Sequence, residues 1–236
     1  STSDTETGDS TAPYKTIKKI IELDMTNKII IGFIKDDTTK VFINDTITLK
    51  SNIAISSFFD EIPIRIDLSP TAAIPVIGTK LDTIFIVNSN RHLQLNNCII
   101  ENLTRPNTVL FGMTNSTITL NQVIFSKITP GPTISSIYFR LFYTPPGILS
   151  SKIEMNGVRF QESSFEINLM RTDLVIKNTV LSDSAILATA LIKTSNSNLN
   201  IQNFTIRNVS VGYPQTAASL FWLNSGSFSV NTFTTA

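Results

Sequence analysis

A short segment recurs six times in the C-terminal two thirds of the chain, and it constrains the fold more than any other feature. It reads apolar, any, apolar, then an amide or small polar pair, then apolar alternation. The copies are Leu93-Gln-Leu95-Asn96-Asn97-Cys98-Ile-Ile100, Ile118-Thr-Leu120-Asn121-Gln122-Val123-Ile-Phe125, and Ile153-Glu-Met155-Asn156-Gly157-Val158-Arg-Phe160. They continue with Leu174-Val-Ile176-Lys177-Asn178-Thr179-Val-Leu181, Leu199-Asn-Ile201-Gln202-Asn203-Phe204-Thr-Ile206 and Phe228-Ser-Val230-Asn231-Thr232-Phe233. Taking the second apolar residue as reference, the intervals are 25, 35, 21, 25 and 29 residues. The 35-residue step holds two Pro/Gly-rich stretches, Thr129–Thr133 and Thr144–Gly147, and reads as one unit with an inserted loop.

Inside each unit the apolar period is two, which is the period of a strand. A further apolar strand precedes each unit: Thr83–Val87, Val109–Met113, Ile137–Phe142, Phe165–Met170, Ile186–Ile192 and Ser219–Leu223. Three short strands per turn of about 25 residues, with no helical pattern between them, predict an all-β parallel solenoid. Such a turn cannot bury its apolar face alone and must stack on its neighbours.

Composition agrees. The chain has 236 residues, including 33 Ile, 21 Asn and 55 Ser plus Thr. These residue types disfavour helix interiors. Charge is sparse and balanced, with 19 basic and 18 acidic residues, so no basic stripe marks a nucleic-acid binder. The longest aliphatic run, near Ile29–Ile34, is too short to span a bilayer. One Cys excludes a disulfide framework.

The bend after each reference residue needs left-handed backbone, which Asn tolerates. Asn97, Asn121, Asn156, Asn178, Asn203 and Asn231 therefore form an expected turn ladder, with amides hydrogen-bonded along the axis as in cross-β stacks. A row of sugar-binding amides is the alternative. This pattern resembles the right-handed parallel β-helix family, the architecture shared by pectate lyases and many surface proteins. The resemblance covers Thr83–Ala236 and extends to Lys28–Leu68, where Ile47-Thr-Leu49…Ile53-Ala-Ile55 looks like an earlier coil with a longer turn. The units are also similar to repeats in large Asn- and Ile-rich extracellular proteins of ciliates. The chain divides into a polar tail (1–13), an N-terminal cap and irregular coils (14–82) and regular coils (83–236). Helical spacing in Tyr14–Ile21 predicts a short capping helix, with a strand as the alternative.

Parity places Cys98 in the core and puts Asn102, Lys127, Glu162, Asp183 and Asn208 on a solvated ridge. Sequons occur at Asn44, Asn102, Asn115, Asn203 and Asn208, about as many as chance gives. Asn102 and Asn208 are the better glycosylation candidates by placement.

The first strand of each coil is apolar at both parities and needs a cover on its outer face. That cover is either the chain itself, or another protein chain or a carbohydrate. Tyr138, Arg140, Phe142, Tyr143, Phe221 and Trp222 would then be the interface or glycan platform. The acidic residues are scattered: Asp36-Asp37 and Asp60-Glu61 are adjacent and face opposite ways, and Glu154, Glu162 and Glu166 fall on different elements. His92 stands alone. No phosphate loop, nucleophile elbow or metal-spaced cluster is present. The sequence predicts no catalytic centre, no cofactor and no metal. It predicts an extracellular or cell-surface structural or adhesive module that assembles with itself, with carbohydrate binding or polysaccharide degradation as the alternative.

Overall fold

The computed structural model describes residues 21, 29–33, 40–43, 46–57, 62–69, 82–104, 108–129, 139–147, 150–186, 190–211 and 219–235. The polar tail, most of the expected capping helix, Asn44 and Tyr138 lie outside these residues, as do Asp36-Asp37 and Asp60-Glu61. Ile21 is helical and fully buried.

The described strands form one continuous, curled, parallel sheet of 19 strands and a separate two-stranded sheet. Their order follows the repeat. A first coil supplies β1 (Ile29–Phe33) and β2 (Lys40–Phe42). The second holds β3 (Ile47–Thr48), β4 (Ile53–Ser57) and β5 (Ile64–Asp67). The third holds β6 (Asp82–Asn88), β7 (His92–Asn96) and β8 (Cys98–Glu101). The fourth holds β9 (Thr108–Thr114), β10 (Thr117–Asn121) and β11 (Ile124–Ser126). The fifth holds β12 (Arg140–Tyr143), β13 (Ser151–Asn156) and β14 (Arg159–Gln161). In the sixth, β15 (Glu166–Met170) leads into β16 (Thr172–Ser182), which rounds a corner and serves as second and third strand. The short β17 (Ala185–Ile186) follows. The seventh coil is a single bent strand, β18 (Ala190–Arg207), trailed by β19 (Ser210–Val211), which pairs with β17. The eighth is β20 (Ser219–Val230) and β21 (Phe233–Thr235).

Every pairing is parallel and joins equivalent strands of successive coils. Down the second stack, Ile53 pairs with Leu93, Leu93 with Ile118, Ile118 with Ile153, Ile153 with Leu174, Leu174 with Leu199 and Leu199 with Phe228. The spacing from Leu93 to Phe228 is the spacing of the sequence repeat. One earlier assignment shifts: Ile55, not Leu49, aligns with Leu95, because Ile47–Thr48 is a first strand paired with β6. The ladder crosses residues 82 and 83 without a break, since β6, β7 and β8 pair with β3, β4 and β5.

Inward side chains stack in columns. Phe85, Phe111 and Phe142 are fully buried, with ring centroids 5.4 and 5.2 Å apart. Phe125 and Phe160 stack at 5.0 Å in the third-strand column. Offset aromatic stacking adds about 0.5–1.5 kcal/mol per pair beyond the area buried. Cys98 lies on the same column as Thr179 and Phe204, buried as parity predicts.

Candidate interaction surface

Three left-handed corners, not one, shape the third, fourth, sixth and seventh coils. The first, between first and second strands, holds Asn90, Asn115, Arg171, Asn196 and Ser225. The second holds Asn97, Gln122, Gly157, Asn178 and Asn203, and the third holds Asn102, Lys127, Glu162, Asp183 and Asn208. All have φ between 46° and 67°. A non-Gly residue in that region costs roughly 1–2 kcal/mol. Hydrogen bonding along the axis offsets it. The corner N–H groups of Asn97, Gln122 and Gly157 donate to the carbonyls of Asn121, Asn156 and Lys177 one coil on. Those of Asn102, Lys127, Glu162 and Asp183 do the same at the third corner.

The amides run along the same edges. Asn121 Nδ2 donates to Asn96 Oδ1 (2.9 Å), Asn178 Nδ2 to Asn156 Oδ1 (3.1 Å) and Asn203 Nδ2 to Asn178 Oδ1 (3.0 Å). Asn97, Asn178 and Asn203 occupy the corner itself. Asn121 and Asn156 precede it by one residue, so the expected single row is two columns with a crossing between them. Asn231 donates its backbone N–H to the Ile201 carbonyl.

The residue after each corner turns inward, and there the chain places small hydroxyls that the repeat did not announce. Ser163, Ser184, Thr172, Ser197 and Thr179 are buried. Each donates its hydroxyl to the carbonyl two residues back, at 2.6–3.0 Å. Some also accept along the axis: Ser163 N–H donates to Ser184 Oγ (3.1 Å) and Thr172 N–H to Ser197 Oγ (3.0 Å). Cys98 copies the motif, its thiol set 3.3 Å from the Asn96 carbonyl. Burial pushes the Cys98 thiol up to about 12.

The described sequons all sit at corners. Asn203 and Asn208 are exposed, and Asn102 and Asn115 are half-buried. Asn208 Nδ2 donates to Asp183 Oδ1 (2.8 Å) and Asn102 Nδ2 to Asp67 Oδ2 (3.0 Å). The expected ridge is thus a hydrogen-bonded edge.

The platform residues divide. Phe142 faces the interior and stacks on Phe111, so it is no surface residue. Phe221 also points inward, registered on Ile192, and is half-buried. Tyr143 and Trp222 share an outward column with Asn168 and Lys193. The Arg140 guanidinium lies 4.8 Å from the Tyr143 ring centre, and its Nε is 3.5 Å from Glu166 Oε2. Lys193 Nζ lies 4.8 Å from the ring centre of Trp222. Charge therefore does enter this sheet. Its outer apolar residues in the middle coils are covered: Ile84 is 5% exposed, Leu191 3%, and Leu110 and Leu141 0%. That burial arises within the single chain.

The last coil differs. Trp222 is 50% exposed, Phe228 46%, and Leu223 and Val230 39% each. Among the described residues these are the exposed large apolar side chains. Leu223, Phe228 and Val230 continue the inward columns of Thr194, Leu199 and Ile201. Among the described residues, β18 alone pairs with β20 and β21.

Among the described residues there is no group of three His, Cys, Asp or Glu that could hold a metal ion, and no helix long and apolar enough to cross a membrane. His92 opens β7, half-buried, with Nε2 2.9 Å from Thr119 Oγ1. Glu154 lies on the second-strand face beside Lys152 (2.8 Å), Glu162 at the third corner and Glu166 beside Arg140. No family model matches the chain, and no curated protein or solved structure matches it.

Proposed function

We propose that this protein is a non-catalytic structural module: a right-handed parallel β-helix, extracellular or at the cell surface, that associates with itself. The observation that carries this reading is the continuous parallel ladder, in which equivalent strands of successive coils pair in register around an interior of stacked side chains. A parallel ladder is itself a template for further strand pairing, which supports self-association. Right-handedness is supported by the general rule that parallel strand–crossover–strand connections turn that way. The extracellular setting is supported by the exposure of the sequon residues Asn203 and Asn208. Sedimentation velocity over a wide concentration range tests the reading. Growth of a heavier species is expected, and a monomer at every concentration would overturn it.

Carbohydrate binding is a second reading, favoured by the outward Arg140–Tyr143 and Lys193–Trp222 pairs. Aromatic faces flanked by donors suit sugar rings. Trp222 is the chain's one Trp, so its fluorescence reports on that surface alone. Titration with neutral and uronate glycans should shift its emission if this reading is right. Unchanged emission across the panel counts against it.

A further inference from the structure

We infer that the peptide joining Asn156 to Gly157 is a spontaneous modification site, a deamidation centre that the corner ladder holds shut and that reacts when this corner opens. The inference is independent of the self-association reading above.

The sequence supplies the chemistry. Of the 21 Asn, Asn156 alone is followed by Gly. In deamidation the Gly157 backbone nitrogen gives its proton to solvent hydroxide and attacks Asn156 Cγ. A bond forms between that nitrogen and Cγ, the Cγ–Nδ2 bond breaks, and Nδ2 leaves as ammonia with a proton taken from water. The product is a five-membered succinimide. Water then breaks one of its two ring C–N bonds, leaving aspartate or, with the main chain rerouted through Cγ, isoaspartate. The sum is amide plus water to carboxylate plus ammonium. A side chain on the following residue crowds the attacking nitrogen, and Gly has none. Asn156 is exposed, so hydroxide and water reach it.

The folded corner opposes ring closure. Asn156 ends β13, and three hydrogen bonds along the axis clamp its peptide. Its carbonyl accepts from the Gln122 N–H (2.8 Å) one coil back, and the Gly157 N–H donates to the Lys177 carbonyl (3.0 Å) one coil on. Asn156 Oδ1 accepts from Asn178 Nδ2 (3.1 Å). The nucleophile is committed to one partner and the electrophile to another. A bonded N–H is also shielded from hydroxide, as in hydrogen exchange, until the structure opens locally. Nor does the bend itself call for Gly. Gly157 has φ 67°, but Asn97, Asn178 and Asn203 serve the same corner in other coils. A Cβ at Gly157 would meet Gln122 Cγ at 3.5 Å, an ordinary contact. The two products differ in consequence. Aspartate keeps an acceptor for Asn178. Isoaspartate adds a main-chain atom at the bend between β13 and β14, both of which register on β16.

The test follows the full chain by peptide mapping and mass spectrometry during incubation at mildly alkaline pH. Conversion of amide to acid should concentrate at Asn156 and run slower in the folded protein than in guanidinium chloride. Asn178→Gly keeps the bend and removes the amide that holds Asn156 Oδ1. It should speed conversion about fivefold, the change in opening that one hydrogen bond of ordinary net strength gives. Asn203→Gly makes the equivalent change one coil further on and should leave the rate at Asn156 unchanged. Gly157→Asn should slow conversion in denaturant to the level of the other Asn residues. No preference for Asn156 in denaturant overturns the site. Equal rates in folded and denatured chains overturn the gate. Equal acceleration by Asn178→Gly and Asn203→Gly assigns the gate to whole-chain unfolding and overturns the corner as its cause.

Discussion

At the scale of single residues, the corners show what Asn contributes. It accepts left-handed backbone and also hydrogen-bonds its neighbour one coil away, and these roles can be separated at Asn178. That residue has φ 48°, donates to Asn156 and accepts from Asn203. Asn178→Gly removes the amide but keeps the backbone freedom. Asn178→Ala removes both. We expect a loss of about 1 kcal/mol for Gly, and roughly 1–2 kcal/mol more for Ala, by urea denaturation. Equal losses would show that the left-handed corner carries no strain. Gly226 is stricter, because a Cβ there would overlap the Ser197 backbone. Gly226→Ala should lower the thermal midpoint or detach the last coil.

Cys98 makes a pH prediction of definite sign. Its folded pKa, about 12, lies above the ordinary value of 9.0. The folded state therefore holds the proton more tightly, and the associated stability is complete below about pH 9. It is lost as pH rises from about 9 towards 12. Wild type should weaken between pH 8 and pH 11 relative to Cys98→Val. Val123 and Val158 already fill equivalent positions, so the Val variant should fold. Parallel loss in the two proteins would exclude the thiol as the cause.

At the scale of elements, the aromatic columns set the order of sensitivity. Phe111 is sandwiched between Phe85 and Phe142, with rings on both faces. Phe111→Ala should cost about 3–5 kcal/mol. Phe233, at the edge and half-buried, meets its neighbours only edge-on, so Phe233→Ala should cost much less. Chemical denaturation of the two variants checks the ranking.

The second and third strands were legible in the sequence because their period-two alternation is uninterrupted. The first strands were legible as strands but not in their outer face. Leu110 alternates with nothing polar and Leu141 sits between Arg140 and Phe142, and only three-dimensional burial shows that the chain itself covers them. Phe142 looked like a surface aromatic because the strand carries aromatic residues at both parities. Its register on β9 is regular, with Arg140 on Val109 and Phe142 on Phe111, and that alignment sends Phe142 inward. The corner hydroxyls escaped notice because Ser163, Ser184 and Ser197 look like loop residues in a chain rich in Ser. Their signal is positional: each comes one residue after a left-handed residue.

At the scale of the whole molecule, each coil touches only its neighbours, as in other solenoids. Stability should then grade along the axis, not be uniform. Amides of β20 and β21 have a partner coil on one side and should exchange fastest in dilute monomer. Those of β10 and β13, stacked on both sides, should exchange slowest. Hydrogen exchange read by mass spectrometry checks the gradient, and a single protection level throughout would contradict it.

The unequal coil lengths carry a last consequence. Equivalent second-strand residues lie 40 residues apart from Ile53 to Leu93 and 35 apart from Ile118 to Ile153, yet only 21 apart from Ile153 to Leu174. Registration is therefore re-established at every turn, whatever length of chain intervenes. Closing a longer excursion adds only about 0.6 kcal/mol per doubling of its length. The scaffold behaves like a loose-leaf spine: foreign peptides grafted at the exposed Pro145–Gly147, between β12 and β13, should be displayed without disturbing the pages on either side.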